Sequence, residues 1–186
     1  MFEPGGFYHV TSRGNNRQPI CLDDVDFAAL EDRLGLVAAR HELVVLGYCI
    51  MTNHYHLFVR IPGERLSQAI SELNGRFAHR ANERHGRGGH LFQSRFHAVQ
   101  IAGDEYLREV ARYVVLNPVR AGLVERPEQW PWSSYAACAG LTFPQGFLAV
   151  NELLRWFGKT PTLGRAGYRA FIRDGLARCQ APRMET

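Results

Sequence analysis

Apolar and polar positions alternate along FYHVTSR, residues 7–13, which predicts a β-strand. The polar NNRQPI that follows reads as a turn. Residues 23–40, DDVDFAALEDRLGLVAAR, predict a helix, with acids in the first turn and Arg40 in the last. LVVLGYCI, residues 43–50, is a continuous apolar run and fits a strand covered on both faces. MTN is short enough to join it to HYHLFVRI, residues 54–61, as an antiparallel hairpin. After the PGE break, Leu66, Ala69, Ile70, Leu73, Phe77 and Ala81 recur at helical spacing, so residues 66–86 predict a second helix. GRGGH is a flexible loop, and FQSRFHAVQI, residues 92–101, predicts a fourth strand. GDEYLREVARYVVLN, residues 103–117, predicts a third helix, with Asp104 as its N-cap and Pro118 ending or kinking it.

Strand, helix, strand, strand, helix, strand is the order of the split βαβ, ferredoxin-like arrangement. An α+β fold is therefore expected, with an antiparallel sheet, two helices on one face and the third helix on the other. Residues 1–124 would form this domain. Residues 125–186 would be a C-terminal extension packed on it: ERPEQWPWSSYAACAG as an ordered wrap, FLAVNELLRWFG and LGRAGYRAFIRDGLAR as helices.

The alternation sets the chemistry of the second hairpin strand. Tyr55, Leu57, Val59 and Ile61 share one face, and His54, His56, Phe58 and Arg60 share the other. The first set is the core face, so the histidines should point at the third helix. Two imidazoles two residues apart on a strand can hold one metal ion, although two hydrogen-bonded histidines would leave the same pattern. On the third helix, Leu107, Val110, Ala111, Val114 and Val115 form the apolar stripe, and Tyr113 lies about 130° from its middle. A tyrosine off that stripe, facing paired histidines, fits a nucleophile; it equally fits an amphipathic tyrosine at an interface. Tyr106 and Glu109 lie near it. Asn117 stands one turn on, where its amide oxygen could join a metal shell, but residues before proline avoid the helical region.

Composition narrows the classes. With 186 residues, 46% apolar and 22% charged, the chain suits one soluble domain with a small appendage. No apolar run reaches the ~18 residues of a membrane span, and the start lacks the pattern of a secretory signal. Four scattered cysteines, Cys21, Cys49, Cys138 and Cys179, form no CxxC pair; reduced thiols and a cytoplasmic, nucleoid-associated location are expected. No Walker-type phosphate loop is present, so no nucleotide cofactor is expected. The net charge of +4 is unevenly spread. Residues 1–60 carry 5 arginines against 7 acids, residues 61–100 carry 6 against 3, and the remainder 11 basic residues against 8 acids. The basic excess follows the histidine strand, where a polyanion could be held, or it is simply a solvated surface. Arg13, Asn15, Asn16, Arg76, Arg80, Arg95, Arg112 and Arg120 are the candidate nucleic-acid contacts. Arg76, Arg80 and Arg84 repeat at i, i+4 beside the apolar stripe of the second helix.

Taken together, FYHVTSRGNNRQPI, MTNHYHLFV, GRGGHLFQSRF, ARYVVLNPVRAGLV and WPWSSY, in that order, resemble the single-tyrosine HUH transposases, and most closely the REP-associated tyrosine transposases. The resemblance covers most of the chain. It implies His54 and His56 as metal ligands, Asn117 as a third, and Tyr113 as the nucleophile. It also implies Mg²⁺ or Mn²⁺ as the ion and single-stranded or hairpin DNA as the substrate, cut through a 5′-phosphotyrosine intermediate by a monomer or homodimer. Tyr55 stands where the family usually has a bulky apolar residue, and it faces the core. The rival readings are a dimeric insertion-sequence transposase of the same superfamily, a non-catalytic nucleic-acid-binding module on a ferredoxin-like sheet, and a zinc hydrolase. A third histidine or carboxylate at fitting spacing, which the last would want, is missing.

Overall fold

The computed structural model describes residues 2–180. The strands are β1 (Phe7–Arg13), β2 (Val44–Ile50), β3 (His54–Arg60) and β4 (His97–Ile101), and the helices of the first part are α1 (Asp24–His41), α2 (Leu66–His85) and α3 (Asp104–Arg120). The sheet order is β2-β3-β1-β4 with every neighbour antiparallel. This is the expected ferredoxin-like fold.

Period-two alternation divides the sheet into two faces. Tyr8, Val10 and Ser12 on β1 share a face with Tyr55, Leu57 and Val59 on β3. Against that face lie Leu30, Leu34 and Val37 of α1 and Leu66, Ile70, Leu73 and Phe77 of α2, all buried in one core. Its polar atoms are paired: Tyr55 Oη donates to Asn74 Oδ1 at 2.7 Å, and Asn74 Nδ2 donates to Ser12 Oγ at 2.9 Å. Such pairing removes the 1–3 kcal/mol cost of leaving a buried polar group unmatched. Phe7, His9, Thr11 and Arg13 share the opposite face with Arg60, Phe58, His56 and His54. There Trp156 stacks on Phe58 and meets Phe7 edge-on, filling one end, while α3 crosses the other.

Part of the tail lies along the free edge of β2. Ile50 N–H donates to the Trp132 carbonyl, Trp130 Nε1 donates to the Ile50 carbonyl, and Ser134 Oγ accepts from Tyr48 N–H. Farther along, Ala149 N–H donates to the Val45 carbonyl. An edge that would otherwise template strand pairing is thus covered from both ends. Short helices α4 (Tyr135–Ala139) and α5 (Val150–Leu154) follow, and α6 (Pro161–Gln180) packs on α3. Residues 181–186 of the expected extension lie outside the described residues.

Four expectations change. The fourth strand is only His97–Ile101: pairing with β1 breaks between Phe92 and His97, while Phe92 still bridges Gly14 and turns its ring onto Tyr55 and Phe77. The residue before α3 is Gly103, at φ 86°, and Asp104 is already helical, with no capping hydrogen bond from its side chain. The FLAVNELLRWFG stretch is half strap and half helix, since residues 147–149 run along β2. Finally, α3 runs through Pro118 to Arg120. Proline cannot donate to the Val114 carbonyl. The Asn117 side-chain amide folds back instead, donating to the Tyr113 carbonyl at 2.8 Å and approaching that of Val114 at 3.5 Å. Among the described residues no helix is long and apolar enough to cross a membrane.

Gly14 joins β1 to a single 3-10 turn, Asn15–Arg17. A Cβ there would lie 2.1 Å from the Gln18 carbonyl oxygen and 3.0 Å from Ile20 Cγ2, so backbone would have to move. Gly14→Ala is expected to lower unfolding free energy by about 1–3 kcal/mol, the usual penalty of overpacking. Urea denaturation would measure it, and a change within about 0.5 kcal/mol, as at an open surface site, would show that the turn has room.

Candidate active site

The β1–β3 register builds the site. His56 lies opposite Thr11 and His54 opposite Arg13, so both histidines leave the sheet on the face away from α1 and α2. His56 is 4% exposed, and His54 is half-buried at the strand end. Across them stands Tyr113 of α3, 36% exposed, with its ring edge-on to those of both His56 and His9 at 5.5 Å between centroids. The helix thus buries its Leu107, Val110, Val114 and Val115 stripe and leaves the Tyr113 phenol beside the imidazoles and open to solvent. Arg120, two turns on, sets its guanidinium over the Tyr113 ring at 4.9 Å, within cation–π range.

Each imidazole is held by one nitrogen. His54 Nδ1 lies 2.6 Å from Asn53 Oδ1, while Asn53 Nδ2 donates to the Arg17 carbonyl at 3.0 Å. Because the amide nitrogen faces a carbonyl, its oxygen must face His54, and His54 Nδ1 carries the proton. His56 Nδ1 lies 2.9 Å from His9 Nε2 and 3.1 Å from Thr11 Oγ1. Neither Nε2 of the pair has a hydrogen-bond partner among the described residues. Burial, with Arg13 beside it, lowers the His54 pKa to about 4. Burial first, then the neighbouring His54, His9 and Arg13, lowers that of His56 to about 2. Burial and His97 lower that of His9 to about 4. All three are neutral near pH 7, the state in which imidazole can ligate a metal.

The donor set fits a divalent ion held by few protein ligands. His54 presents an unprotonated Nε2, the Nε2 of His56 has no hydrogen-bond partner among the described residues, and Asn117, 9% exposed, has its amide nitrogen committed to the Tyr113 carbonyl, leaving Oδ1 as its free acceptor. Among the described residues no three His, Cys, Asp or Glu side chains are grouped to hold a metal.

The expected nucleic-acid contacts divide. Arg13 lies opposite His54, Arg120 covers Tyr113, and Asn15 and Asn16 sit in the exposed turn tied to the histidine strand by Gly14 N–H donating to the Asn53 carbonyl. In that turn Asn16 and Arg17 both adopt left-handed backbone, φ 50° and 58°, a strained choice that tends to mark functional loops. Arg95 is exposed in the loop before β4. Arg76 and Arg80 ride on α2, in the layer on the far side of the sheet from the histidines, and Arg76 pairs with Glu72 at 3.6 Å. Arg84 is committed to Asp23 and Asp26. Arg112 is a correction: it is 6% exposed, bonded to Glu109 and stacked on Phe171 of α6 at 4.3 Å, in space that Gly175 leaves open. It ties α6 to α3 and is not available to DNA. His9, Thr11 and Asn53 were missed. Alternation along FYHVTSR, laid against the histidine strand, carries the signal for the first two.

Depressed histidine pKa values have a stability consequence. Each folded value lies below the ordinary 6.5, so between about pH 6.5 and 4 the unfolded chain binds more protons and stability falls as pH falls. Metal-free protein is expected to lose unfolding free energy between pH 7 and pH 5, and His54→Gln to lose less across the same interval. Urea titrations at the two pH values measure this, and equal or greater wild-type stability at pH 5 would contradict it.

Residues 5–117, more than half of the chain, match the family model described as transposase, IS200 like. A Haemophilus influenzae protein that carries the name REP-associated tyrosine transposase is 25% identical over 145 residues, 72% of this chain and 82% of that protein. Among solved structures, a REP-associated tyrosine transposase bound to a REP hairpin shares the fold with a TM-score of 0.67 at 19% identity, covering 81% of this chain and 86% of that one. The matched span takes in the histidine strand, the tyrosine and Asn117, and the chain belongs to the IS200-like transposases, a family of DNA-cutting and strand-transferring enzymes.

Proposed function

We propose that this protein is a metal-dependent single-strand DNA endonuclease and strand transferase of the REP-associated type, acting on hairpin-bearing DNA with Tyr113 as nucleophile. One observation carries the reading: Tyr113 is the half-exposed phenol set against His56, on the sheet face where His54 and His56 both present a free Nε2. The hairpin in the similarly folded transposase complex supports the substrate class.

Attack by Tyr113 Oη on a backbone phosphorus would form a 5′-phosphotyrosine bond as the P–O3′ bond breaks. The phenolic proton is lost to solvent, and the departing 3′-oxygen takes one up. The bond energy is retained in the phosphotyrosine, so the reverse attack by a 3′-OH rejoins a strand without a nucleotide cofactor. His54, His56 and Asn117 would hold Mg²⁺ or Mn²⁺, which when bound polarises the phosphoryl oxygen. Their ligand set is neutral, so the phosphate supplies the anionic partner, and ion and DNA should reinforce each other's binding. Arg120 over the tyrosine ring and Arg13 beside His54 place positive charge where the strand must pass. Arg guanidinium grips phosphate bidentately.

Three outcomes are expected. Cleavage of a REP-type hairpin with single-stranded flanks should stop in EDTA and return with Mg²⁺ or Mn²⁺, and His54→Ala or His56→Ala should abolish it; full cleavage in EDTA would remove the metal from the mechanism. Tyr113→Phe deletes the attacking oxygen and keeps the ring, so the SDS-resistant protein–DNA adduct should vanish while hairpin affinity persists. An adduct retained by Tyr113→Phe but lost by Tyr106→Phe would move the nucleophile, and no adduct with any hairpin would leave a binding module. Affinity for single-stranded DNA should fall with salt at a log–log slope of about −0.7 per neutralised phosphate. Arg120→Ala should make that slope shallower by about 0.7, whereas an unchanged slope would place Arg120 off the strand.

A further inference from the structure

His9 is the imidazole in hydrogen-bond reach of His56, and the reaction above leaves it without a task. Its Nε2 lies 2.9 Å from His56 Nδ1, the two rings are stacked at 5.1 Å between centroids, and it also meets Tyr113 edge-on. The β1–β3 register holds it there, on the same face as Thr11 and Arg13. Two neutral imidazole nitrogens can share a hydrogen bond only if one is protonated and the other is not. Which one carries the proton decides whether His56 can serve a metal through its outer nitrogen.

We infer that His9 is a positioning residue for the metal site: its Nε2 accepts the His56 Nδ1 proton, which leaves the lone pair of His56 Nε2 directed out of the sheet. This rests on the reading of His54 and His56 as ligands. With that polarity the two ligands match, since the Asn53 amide oxygen imposes the same tautomer on His54. Thr11 Oγ1, 3.1 Å away, is a second acceptor for the same proton. His9 in turn carries its own proton on Nδ1. The opposite polarity would protonate His56 Nε2 and block ligation. Partners at the second ring nitrogen generally fix the orientation and basicity of a metal-bound histidine, and their loss costs 10- to 100-fold in metal affinity.

Two measurements test the assignment. In the metal-free wild type, ¹⁵N-resolved imidazole spectra should show His56 as the Nδ1–H tautomer; the Nε2–H tautomer at His56 would overturn the inference with no variant needed. Mn²⁺ affinity, read from loss of the free-ion EPR signal without DNA, should weaken 10- to 100-fold in His9→Phe, which keeps a flat ring but has no acceptor. His9→Gln, whose Oε1 reaches the place of Nε2, should stay within a few-fold of wild type. An unchanged Mn²⁺ affinity in His9→Phe, or an equal loss in His9→Gln, would overturn it. His56→Ala separates the two readings: if it binds Mn²⁺ as wild type does, the ligand assignment itself has failed, and if it loses Mn²⁺ while His9→Phe keeps it, only the role of His9 has failed.

Discussion

The pairing of β3 with β1 is the constraint on which the site depends. β3 is covered on one face by α1 and α2 and on the other by α3 and Trp156, and its alternation assigns Tyr55, Leu57 and Val59 to the first and His54, His56 and Phe58 to the second. Side-chain period in a strand is two, so a slip of one residue would carry both histidines into the aliphatic core and put the leucine and valine where α3 and Trp156 cover Phe58 and His56. The cost of burying imidazoles without hydrogen-bond partners in an aliphatic core, about 1–3 kcal/mol each, therefore fixes where they point. The same register brings His9 and Thr11 to His56, and Arg13 to His54. Core packing thereby chooses the face on which the imidazoles lie, and Asn53 and His9 hold each ring by its Nδ1.

The second half of the site is held by a helix that does not stop where proline would ordinarily stop it. Pro118 leaves the Val114 carbonyl without its usual donor, and the Asn117 amide turns back onto this stretch of carbonyls. The continuous helix keeps Arg120 seven residues, two turns, from Tyr113 and so over its ring. It also keeps Asn117 inside the helix with its amide oxygen uncommitted. The extension also braces the helix: Arg112, seated between Glu109 and Phe171, binds α6 to α3. Tail and tyrosine helix are one packed unit, which explains why residues far from the chemistry include so many buried aromatics, Tyr135 and Tyr168 among them.

The periodicity of the strands and long helices made the ferredoxin-like fold legible, together with the face of the histidines and the position of Tyr113 off the apolar stripe. It misled where apolar residues serve a purpose other than alternation. Residues 92–101 look like one strand, yet the pairing breaks between Phe92 and His97, and Phe92, still bridged to Gly14, gives its ring to the core. Proline and asparagine read separately predict a break at 117–118; read as a pair, the amide compensates for the missing N–H. Charge is the weakest guide, since an arginine bound to Glu109 and stacked on Phe171 looks in sequence like one held for DNA. His9 was hidden because a histidine acquires meaning only from the residue across the strand, and cross-strand register is a tertiary fact.

The account stands or falls on which atom of the protein becomes joined to DNA. The direct measurement is mass spectrometry of the peptide released by proteolysis of the trapped protein–DNA adduct, after nuclease digestion down to the attached nucleotide. The account predicts a single modified peptide from α3, with the nucleotide joined through its 5′-phosphate to the Tyr113 oxygen. A nucleotide on Tyr106 or on a histidine, or one joined through a 3′-phosphate, would contradict it.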